Sequence, residues 1–207
     1  MLTRSEFDKA CKDFIAKYAS ILPSPETSPM MGWSWNEHPF VSGLGYMTRD
    51  TSYLKRMDSI DDPNLFIADT EGSDEATMTT SSASEIFTCR QYVVFSATFQ
   101  VPCFYFNMYD CSGSPLSLDG ILQTALFRPC IVDIPDKTSI SIGQQGASFP
   151  LLSQGDHPTL GTPCWYFHPC ETEAAVGELM TEKGQSSALE YIETWFCVVG
   201  SVVDLRI

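Results

Sequence analysis

The sequence predicts an α+β fold in which an N-terminal helix packs on a mostly antiparallel sheet of about four to six strands, with further helices after the sheet. Three observations support this. Residues 3–19 repeat apolar side chains with a helical period, residues 86–110 alternate in the manner of strands, and residues 188–199 return to a helical period. Because helix, strands and helices follow one another in blocks, the pattern indicates a layered α+β architecture.

The first helix is predicted over residues 3–19, where apolar side chains fall on one face and Lys and Asp on the other. The apolar face comprises Phe7, Ala10, Cys11, Phe14, Ile15 and Tyr18. We expect this face to dock on the sheet, in preference to a partner or a membrane. Prolines from Pro23 to Pro29 end the helix and make a rigid connector.

Short strands are expected at 33–35 and 41–48, around a turn that holds His38. The strongest strand pattern covers 86–100, which is rich in Val, Phe, Tyr and Thr, and 101–110 forms its hairpin partner. Residues 138–144 supply another short strand. Ser117 is expected to cap a helix that runs to Phe127, and a loop leads from Gly146 to Pro158.

Residues from about 56 to 85 form an acidic insertion. The stretch from Asp58 to Glu85 holds eight acidic residues and no basic ones, and it is rich in Ser and Thr. Such a segment cannot bury enough apolar surface to offset its ordering entropy. We therefore expect residues 56–85 to be a disordered insertion between two strands.

The composition indicates a single domain over residues 1–207, since 43% hydrophobic residues in a chain of this length suffice for one core. A net charge of −14 with only 12 scattered Lys and Arg residues argues against nucleic acid and anionic membranes as partners. The sequence shows no signal peptide and no apolar run long enough to insert stably in a membrane. We expect a cytoplasmic protein whose eight cysteines are reduced.

The stretch 156–173 concentrates the chemically active side chains, with two His-Pro steps and two cysteines. Proline biases the residue before it toward an extended conformation, so His168-Pro169 should end a strand over 164–167. Cys170 would then lie on a turn at the strand's end. Because Thr172 is an acceptable cap for a helix that follows, Cys170 should lie just before exposed helical N–H groups, where a thiolate is favoured.

Cys170 differs from the other cysteines in its setting. Cys103, Cys164 and Cys197 lie among aromatic residues and Val, which predicts burial in the core. Cys170 follows a rigid polar turn and precedes a charged segment, which predicts partial exposure. The neighbouring carboxylates of Glu171 and Glu173 disfavour the thiolate, so we expect a competent but restrained nucleophile.

The residues alone leave four interpretations of this region open. Cys164, His168, Cys170 and His157 are potential metal ligands, although their spacing matches none of the usual zinc sites. A cysteine hydrolase would use His157 and Asp156 as base and orienting group. If the protein is an acyl carrier, it needs only an accessible Cys170 thiol. If the region is a structural turn in a binding module, none of these side chains has a chemical role.

A family resemblance narrows these options. Five segments resemble the E2-like conjugating enzymes of the autophagy-related protein three and ten family, and its ten branch in particular: 92–102, 109–118, the D-H-P-x-L-G-x-P run at 156–163, the H-P-C triplet at 168–170, and 195–205. The resemblance extends from about residue 33 almost to the C-terminus. It implies an E2-core-like α+β fold without a cofactor or a metal ion.

The resemblance also implies a function. Cys170 would be the thioester nucleophile that receives a ubiquitin-like modifier, autophagy-related protein twelve, from an E1-like activating enzyme, autophagy-related protein seven. The modifier's C-terminal glycine would then pass to a lysine of the acceptor, autophagy-related protein five, which the exposed face of the 92–110 hairpin would bind. Ubiquitin-type enzymes stabilise the oxyanion with an Asn that is absent before this thiol, so we assign His168 a supporting role. The alternative is a non-catalytic α+β protein-binding module with a structural or metal-binding His/Cys turn.

Overall fold

A seven-stranded antiparallel sheet forms the centre of the fold, in a computed structural model that describes residues 1–24, 27–56, 85–128, 138–143, 151–180 and 187–206. The strands are β1 (Ser34–Asn36), β2 (Tyr46–Leu54), β3 (Ile86–Ser96), β4 (Val101–Tyr109), β5 (Ser141–Ile142), β6 (Leu152–Asp156) and β7 (Pro163–Phe167). Their order is β1-β2-β3-β4-β7-β6-β5, which makes β4 the central strand.

One helix precedes the sheet, a short one lies between β4 and β5, and two follow the sheet. They are α1 (Arg4–Ala19), the short α2 (Leu118–Leu122), α3 (Thr172–Met180) and α4 (Ala188–Gly200), with single 3-10 turns at Ser28–Met30 and Pro169–Glu171. Reciprocal side-chain and backbone bonds cap α1 through Thr3 and Glu6, and α4 through Ser187 and Glu190. The predicted α+β class, with an N-terminal helix on an antiparallel sheet and later helices, is confirmed, but the sheet has seven strands where four to six were expected.

The main core lies between one face of the sheet and the pair α1 and α4. Phe14 of α1 stacks on Phe196 of α4 with ring centroids 4.7 Å apart, and Phe7 packs on Phe95 at the end of β3. Phe7, Phe14 and Phe196 belong to the main cluster of buried apolar residues, and their removal from water favours the folded state. The predicted inward face of α1 is confirmed at four positions, which are Phe7, Ala10, Cys11 and Phe14.

The opposite face of the sheet carries a second, smaller cluster. Tyr92, Val94 and Cys164 are buried there, and Tyr46 and Tyr105 pack against them. Successive side chains of a strand point to opposite faces, so β3 contributes Val93 to the main core and its two neighbours to this cluster. The loop between β6 and β7 covers this second face, because His157 of that loop is fully buried against the rings of Tyr46 and Tyr92.

Several element boundaries differ from the sequence prediction. The strand expected at 41–48 begins at Tyr46 and continues to Leu54, while the helix capped by Ser117 ends at Leu122. The segment 152–156, expected to be loop, is strand β6. The acidic insertion predicted at 56–85 lies almost wholly outside the described residues. Among the described helices, none combines the length and the apolar character needed to cross a bilayer.

Candidate active site

Cys170 lies in the 3-10 turn Pro169–Glu171, which joins the end of β7 to the start of α3. The N–H of His168 donates to the carbonyl of Leu151 at 3.0 Å, and this bond anchors the turn to the start of β6. Pro169 is buried, whereas Cys170 is half-buried and Glu171 is exposed. Cys170 therefore lies beyond the end of β7, an interior strand of the sheet, and is not one of the buried core residues.

His168 caps this turn through its side chain. Its Nδ1 accepts the backbone N–H of Cys170 at 3.3 Å. In a neutral imidazole one nitrogen accepts and the other carries the proton, so the proton lies on Nε2. Burial lowers the pKa of His168, which keeps the ring neutral at neutral pH. The predicted cap, Thr172, is instead the first residue of α3.

All three histidines of the chain precede a proline and use Nδ1 in the same way. His38 accepts the N–H groups of Phe40 and Val41 at 3.1 and 3.0 Å. His157 accepts the N–H groups of Thr159 and Leu160, both at 3.1 Å. The His-Pro step thus forms a local turn in which the imidazole replaces the carboxylate or amide oxygen of an Asx turn.

His157 occupies a different environment from His168. Its ring contacts Tyr46 and Tyr92 at 4.8 and 4.7 Å between centroids, and Tyr105 at 5.7 Å. Its Nε2 is buried with no hydrogen-bond partner, and burial lowers the pKa of His157 to about 4. Because Nδ1 is occupied by its own loop and Nε2 is enclosed, His157 is poorly suited to serve as the base of a cysteine hydrolase.

The other cysteines separate into buried and exposed groups. Cys103 and Cys164 are 4% and 2% exposed, as predicted, and burial raises the pKa of both thiols. The predicted burial of Cys197 is wrong, because it lies on the solvent side of α4, next to the buried Trp195 and Phe196. Cys111, in the turn after β4, is also exposed.

The four side chains considered as metal ligands do not form a metal centre. Cys164 accepts a hydrogen bond from Asn107 at 3.0 Å, while His157 and His168 each use Nδ1 for backbone N–H groups. Across the described ranges, no three His, Cys, Asp or Glu side chains gather closely enough to hold an ion.

A half-open groove of about 490 Å³ lies beside this turn, where His168 and Pro169 line it. Apolar and aromatic side chains of the sheet line its floor, including Val94, Tyr105 and Tyr166. The remaining lining comes from the N-terminus of α1, the β1–β2 connection, the turn between β3 and β4, and the β6–β7 loop. Sequence reasoning missed this groove, since no local pattern shows that five distant segments converge.

Comparison with known proteins adds independent information. The model of a family described as "Autophagocytosis associated protein, active-site domain" matches residues 6–207. A ubiquitin-like-conjugating enzyme ATG10 from Arabidopsis thaliana is 35% identical over 121 residues, which cover 56% of this chain and 48% of that protein. The protein of the same name from Homo sapiens is 29% identical over 131 residues, covering 62% of this chain and 54% of its own.

The matches to individual relatives cover only part of the chain, whereas the family model matches nearly all of it. The aligned segments span about half the length of the curated relatives. The family model instead covers nearly the whole sequence and includes the turn that carries Cys170. The chain belongs to the family of autophagocytosis-associated proteins defined by this active-site domain.

Proposed function

We propose that the protein is an E2-like conjugating enzyme of autophagy that carries a ubiquitin-like modifier as a thioester on Cys170. The observation that carries the proposal is the half-buried Cys170 in a turn that His168 caps, next to a groove that His168 and Pro169 line. Membership of the active-site domain family and the names of the relatives from Arabidopsis thaliana and Homo sapiens support the same reaction class.

The reaction consists of two acyl transfers. The Cys170 thiolate attacks the thioester carbonyl that links the modifier to the E1-like enzyme, and the E1 thiolate leaves. An unprotonated lysine amine of the acceptor then attacks the new thioester, an amide bond forms, and the Cys170 thiolate leaves while the amine loses its proton. Both steps exchange one acyl bond for another and need no oxidant, reductant or metal ion.

The identities of the partners follow from the resemblance of the H-P-C and D-H-P-x-L-G-x-P segments to the ten branch of the family. We propose autophagy-related protein twelve as the modifier, autophagy-related protein seven as the E1-like enzyme and autophagy-related protein five as the acceptor. The exposed face of the β3–β4 hairpin is the proposed contact for the acceptor.

His168 is the proposed supporting residue. Each acyl transfer passes through a tetrahedral intermediate whose oxygen is negatively charged, and a preorganised N–H donor lowers its energy. The Nδ1 bond to Cys170 fixes the ring and leaves the proton on Nε2. The neutral Nε2–H is therefore the group through which His168 would stabilise the oxyanion.

The proposal is tested by loading assays with the modifier, the E1-like enzyme and ATP. Wild type should form an adduct that a thiol reductant cleaves, Cys170→Ser an adduct that resists it, and Cys170→Ala none. Cys111→Ser and Cys197→Ser are matched controls, since both thiols are exposed, and should load as wild type does. A reducible adduct that survives in Cys170→Ala would move the nucleophile elsewhere. If wild type forms no adduct but binds the modifier or the acceptor, the non-catalytic binding module is favoured.

A further inference from the structure

The imidazole of His168 is held by a long backbone bond and by contacts with neighbouring rings. Its Nδ1 accepts the N–H of Cys170 at 3.3 Å, whereas the corresponding bonds to the Nδ1 atoms of His38 and His157 measure 3.0 or 3.1 Å. A longer hydrogen bond constrains its acceptor less. The rings beside His168 therefore contribute more to its orientation than the backbone bond alone would suggest.

Among the residues that the structure describes, Phe99 makes the closest ring contact with His168. The two rings meet edge to face, with centroids 5.5 Å apart and planes inclined by 78°. The ring of Tyr166 is farther from His168, at 6.4 Å, and is inclined by 40°. Aromatic rings favour edge-to-face contact at centroid separations of about 4.5–7 Å. Phe99 thus limits rotation of the imidazole about its bond to the chain.

The turn that carries Phe99 has an unusual backbone conformation. It covers residues 97–100 between β3 and β4, and Gln100 at its end has a φ of 55°. Gln100 is the one non-glycine residue with a positive φ in the described part of the chain. Its side chain is exposed, so packing of that side chain does not impose the conformation. Residues in such conformations persist where the surrounding structure holds them, and they cluster at functional sites.

Hydrogen bonds from two directions hold this turn. The N–H of Gln100 donates to the Ser96 carbonyl at 2.8 Å, and the N–H of Phe99 donates to the Ser96 hydroxyl at 3.4 Å. On the other side, the N–H of Leu2 donates to the Gln100 carbonyl at 2.9 Å, and the Leu2 side chain is buried. The residue ahead of α1 and the end of β3 therefore keep Gln100 in the left-handed region. A rotation at Gln100 would reorient the turn and carry the Phe99 ring away from His168.

We propose that Phe99 is a positioning residue for His168, and that the left-handed turn at Gln100 holds Phe99 against the imidazole. This inference rests on the proposed function, since it concerns the residue that would stabilise the oxyanion. Phe99 acts through His168 and has no contact of its own with the reacting atoms. It keeps the imidazole where Nδ1 meets the N–H of Cys170, so that the opposite nitrogen points in a constant direction.

The first test removes the ring. Phe99 is only partly buried, so Phe99→Ala should still fold. Single-turnover discharge from preloaded enzyme should become about tenfold slower at saturating acceptor, because orientation at the reacting centre is lost. The acceptor concentration that gives half the maximal rate should not change, since no binding contact is removed. Phe99→Tyr retains the ring and should restore most of the rate, and Thr98→Ala in the same turn is the matched control.

A double-mutant cycle separates positioning from a merely structural role. If Phe99 acts through His168, adding Phe99→Ala to His168→Phe should slow discharge by less than about twofold beyond His168→Phe alone. A further loss of about tenfold would mean that Phe99 acts independently of His168, and would overturn the inference.

The turn can be tested without changing the ring. Glycine adopts the left-handed region freely, whereas a β-branched residue does not. Gln100→Gly should therefore retain most of the discharge rate, and Gln100→Val should lose about as much as Phe99→Ala. Equal rates for Gln100→Gly and Gln100→Val would show that the left-handed turn does not hold Phe99.

The same assays distinguish failure of this inference from failure of the proposed function. If wild type forms the reducible adduct and Phe99→Ala discharges it at the wild-type rate, the inference is overturned and the proposed function stands. A higher half-saturating acceptor concentration for Phe99→Ala with an unchanged maximal rate would also overturn it, because Phe99 would then be a binding residue. Absence of the adduct in wild type would remove the proposed function itself.

Discussion

The Nδ1 atom of His168 accepts the backbone N–H of Cys170 at 3.3 Å. This bond makes the imidazole part of the turn that holds the thiol. It also fixes which nitrogen carries the proton, since the accepting Nδ1 must be unprotonated in the neutral ring. The two nitrogens therefore have separate roles, one in shaping the turn and one as a donor, and substitutions can separate them.

Replacement of His168 by Gln or Asn tests this division. Gln offers an N–H at the position of Nε2 but no acceptor at the position of Nδ1. Asn offers an acceptor at the position of Nδ1 but no N–H at the position of Nε2. If Nε2–H stabilises the oxyanion, His168→Asn should slow discharge of the loaded modifier on the order of 10²-fold, and His168→Gln should slow it less. Single-turnover transfer from preloaded enzyme to the acceptor measures both rates.

His168→Phe serves as the control for this pair, since it keeps a ring beside Phe99 and removes both nitrogens. It should be at least as slow as His168→Asn. A rate near wild type for His168→Asn, with His168→Gln and His168→Phe both slow, would assign His168 to shaping the turn and leave the oxyanion donor to another group.

His157 makes the stability depend on pH. Burial lowers its pKa from 6.5 to about 4 in the folded protein, so the unfolded chain takes up a proton at a higher pH than the folded one. The contribution of His157 is therefore complete above about pH 6.5 and is lost as the pH falls toward 4. The loss is on the order of 3 kcal/mol, from 1.36 kcal/mol for each pKa unit.

Urea unfolding between pH 4 and 7 measures this dependence. Acidic residues with altered pKa values contribute to the same curve, so the comparison has to be made with His157→Asn, which has no group that titrates in this range. The difference between the two curves should shrink as the pH falls. Parallel curves would show that His157 is accessible to protons in the folded state.

The thiols should fall into two reactivity classes. Brief treatment of the native protein with iodoacetamide should modify Cys170 and the exposed Cys111 and Cys197. The buried Cys103 and Cys164, whose pKa values are raised by burial, should react only after unfolding. Peptide mass spectrometry quantifies each site. Protection of Cys170 to the level of Cys164 would argue against an accessible nucleophile.

Local patterns in the sequence were enough to predict the helices at both ends and the central hairpin. The period of apolar residues in α1 and α4 reports directly which face is buried, and the alternation along β3 and β4 does the same for the sheet. The failures lie where local signals are weak. Strand β6 contains Gly155 and polar residues, which have a low strand propensity. Its pairing with β7 stabilises it as a strand.

The candidate site was predictable only in part. The His-Pro step and the following helix predict the turn at Cys170 from sequence neighbours alone. Cys197 was misassigned because two aromatic neighbours suggest burial although the next position on a helix turns by about 100°. The groove and the burial of His157 depend on contacts between distant segments, such as Thr159 with Leu44, which no local pattern contains.

Arg49 is a buried cation on β2 and is only 2% exposed. Its guanidinium donates two bonds to the Gln91 side-chain oxygen, at 3.0 and 2.7 Å, and further bonds to three backbone carbonyls, those of Pro29, Met31 and Leu205. Burial lowers its pKa to about 10, so the group stays charged at neutral pH. Arg49 thereby joins the connector after α1, the sheet and the C-terminal segment.

Arg49→Met keeps much of the aliphatic volume but leaves these oxygens without their donor. We expect the free energy of unfolding, measured in urea, to fall by on the order of 3 kcal/mol. Hydrogen bonds to a charged group contribute about 1.5–3 kcal/mol each, and relaxation of the surrounding structure recovers part of the free energy that is lost with them. Arg49→Lys should be intermediate, because an ammonium cannot reproduce the planar fork.

Arg90→Met, which breaks the exposed pair with Asp50 on the same two strands, is the matched control and should cost less than about 1 kcal/mol. Similar losses for Arg49→Met and Arg90→Met would mean that water replaces the guanidinium inside the fold, and the connector and the C-terminal segment would then be held by their apolar contacts alone.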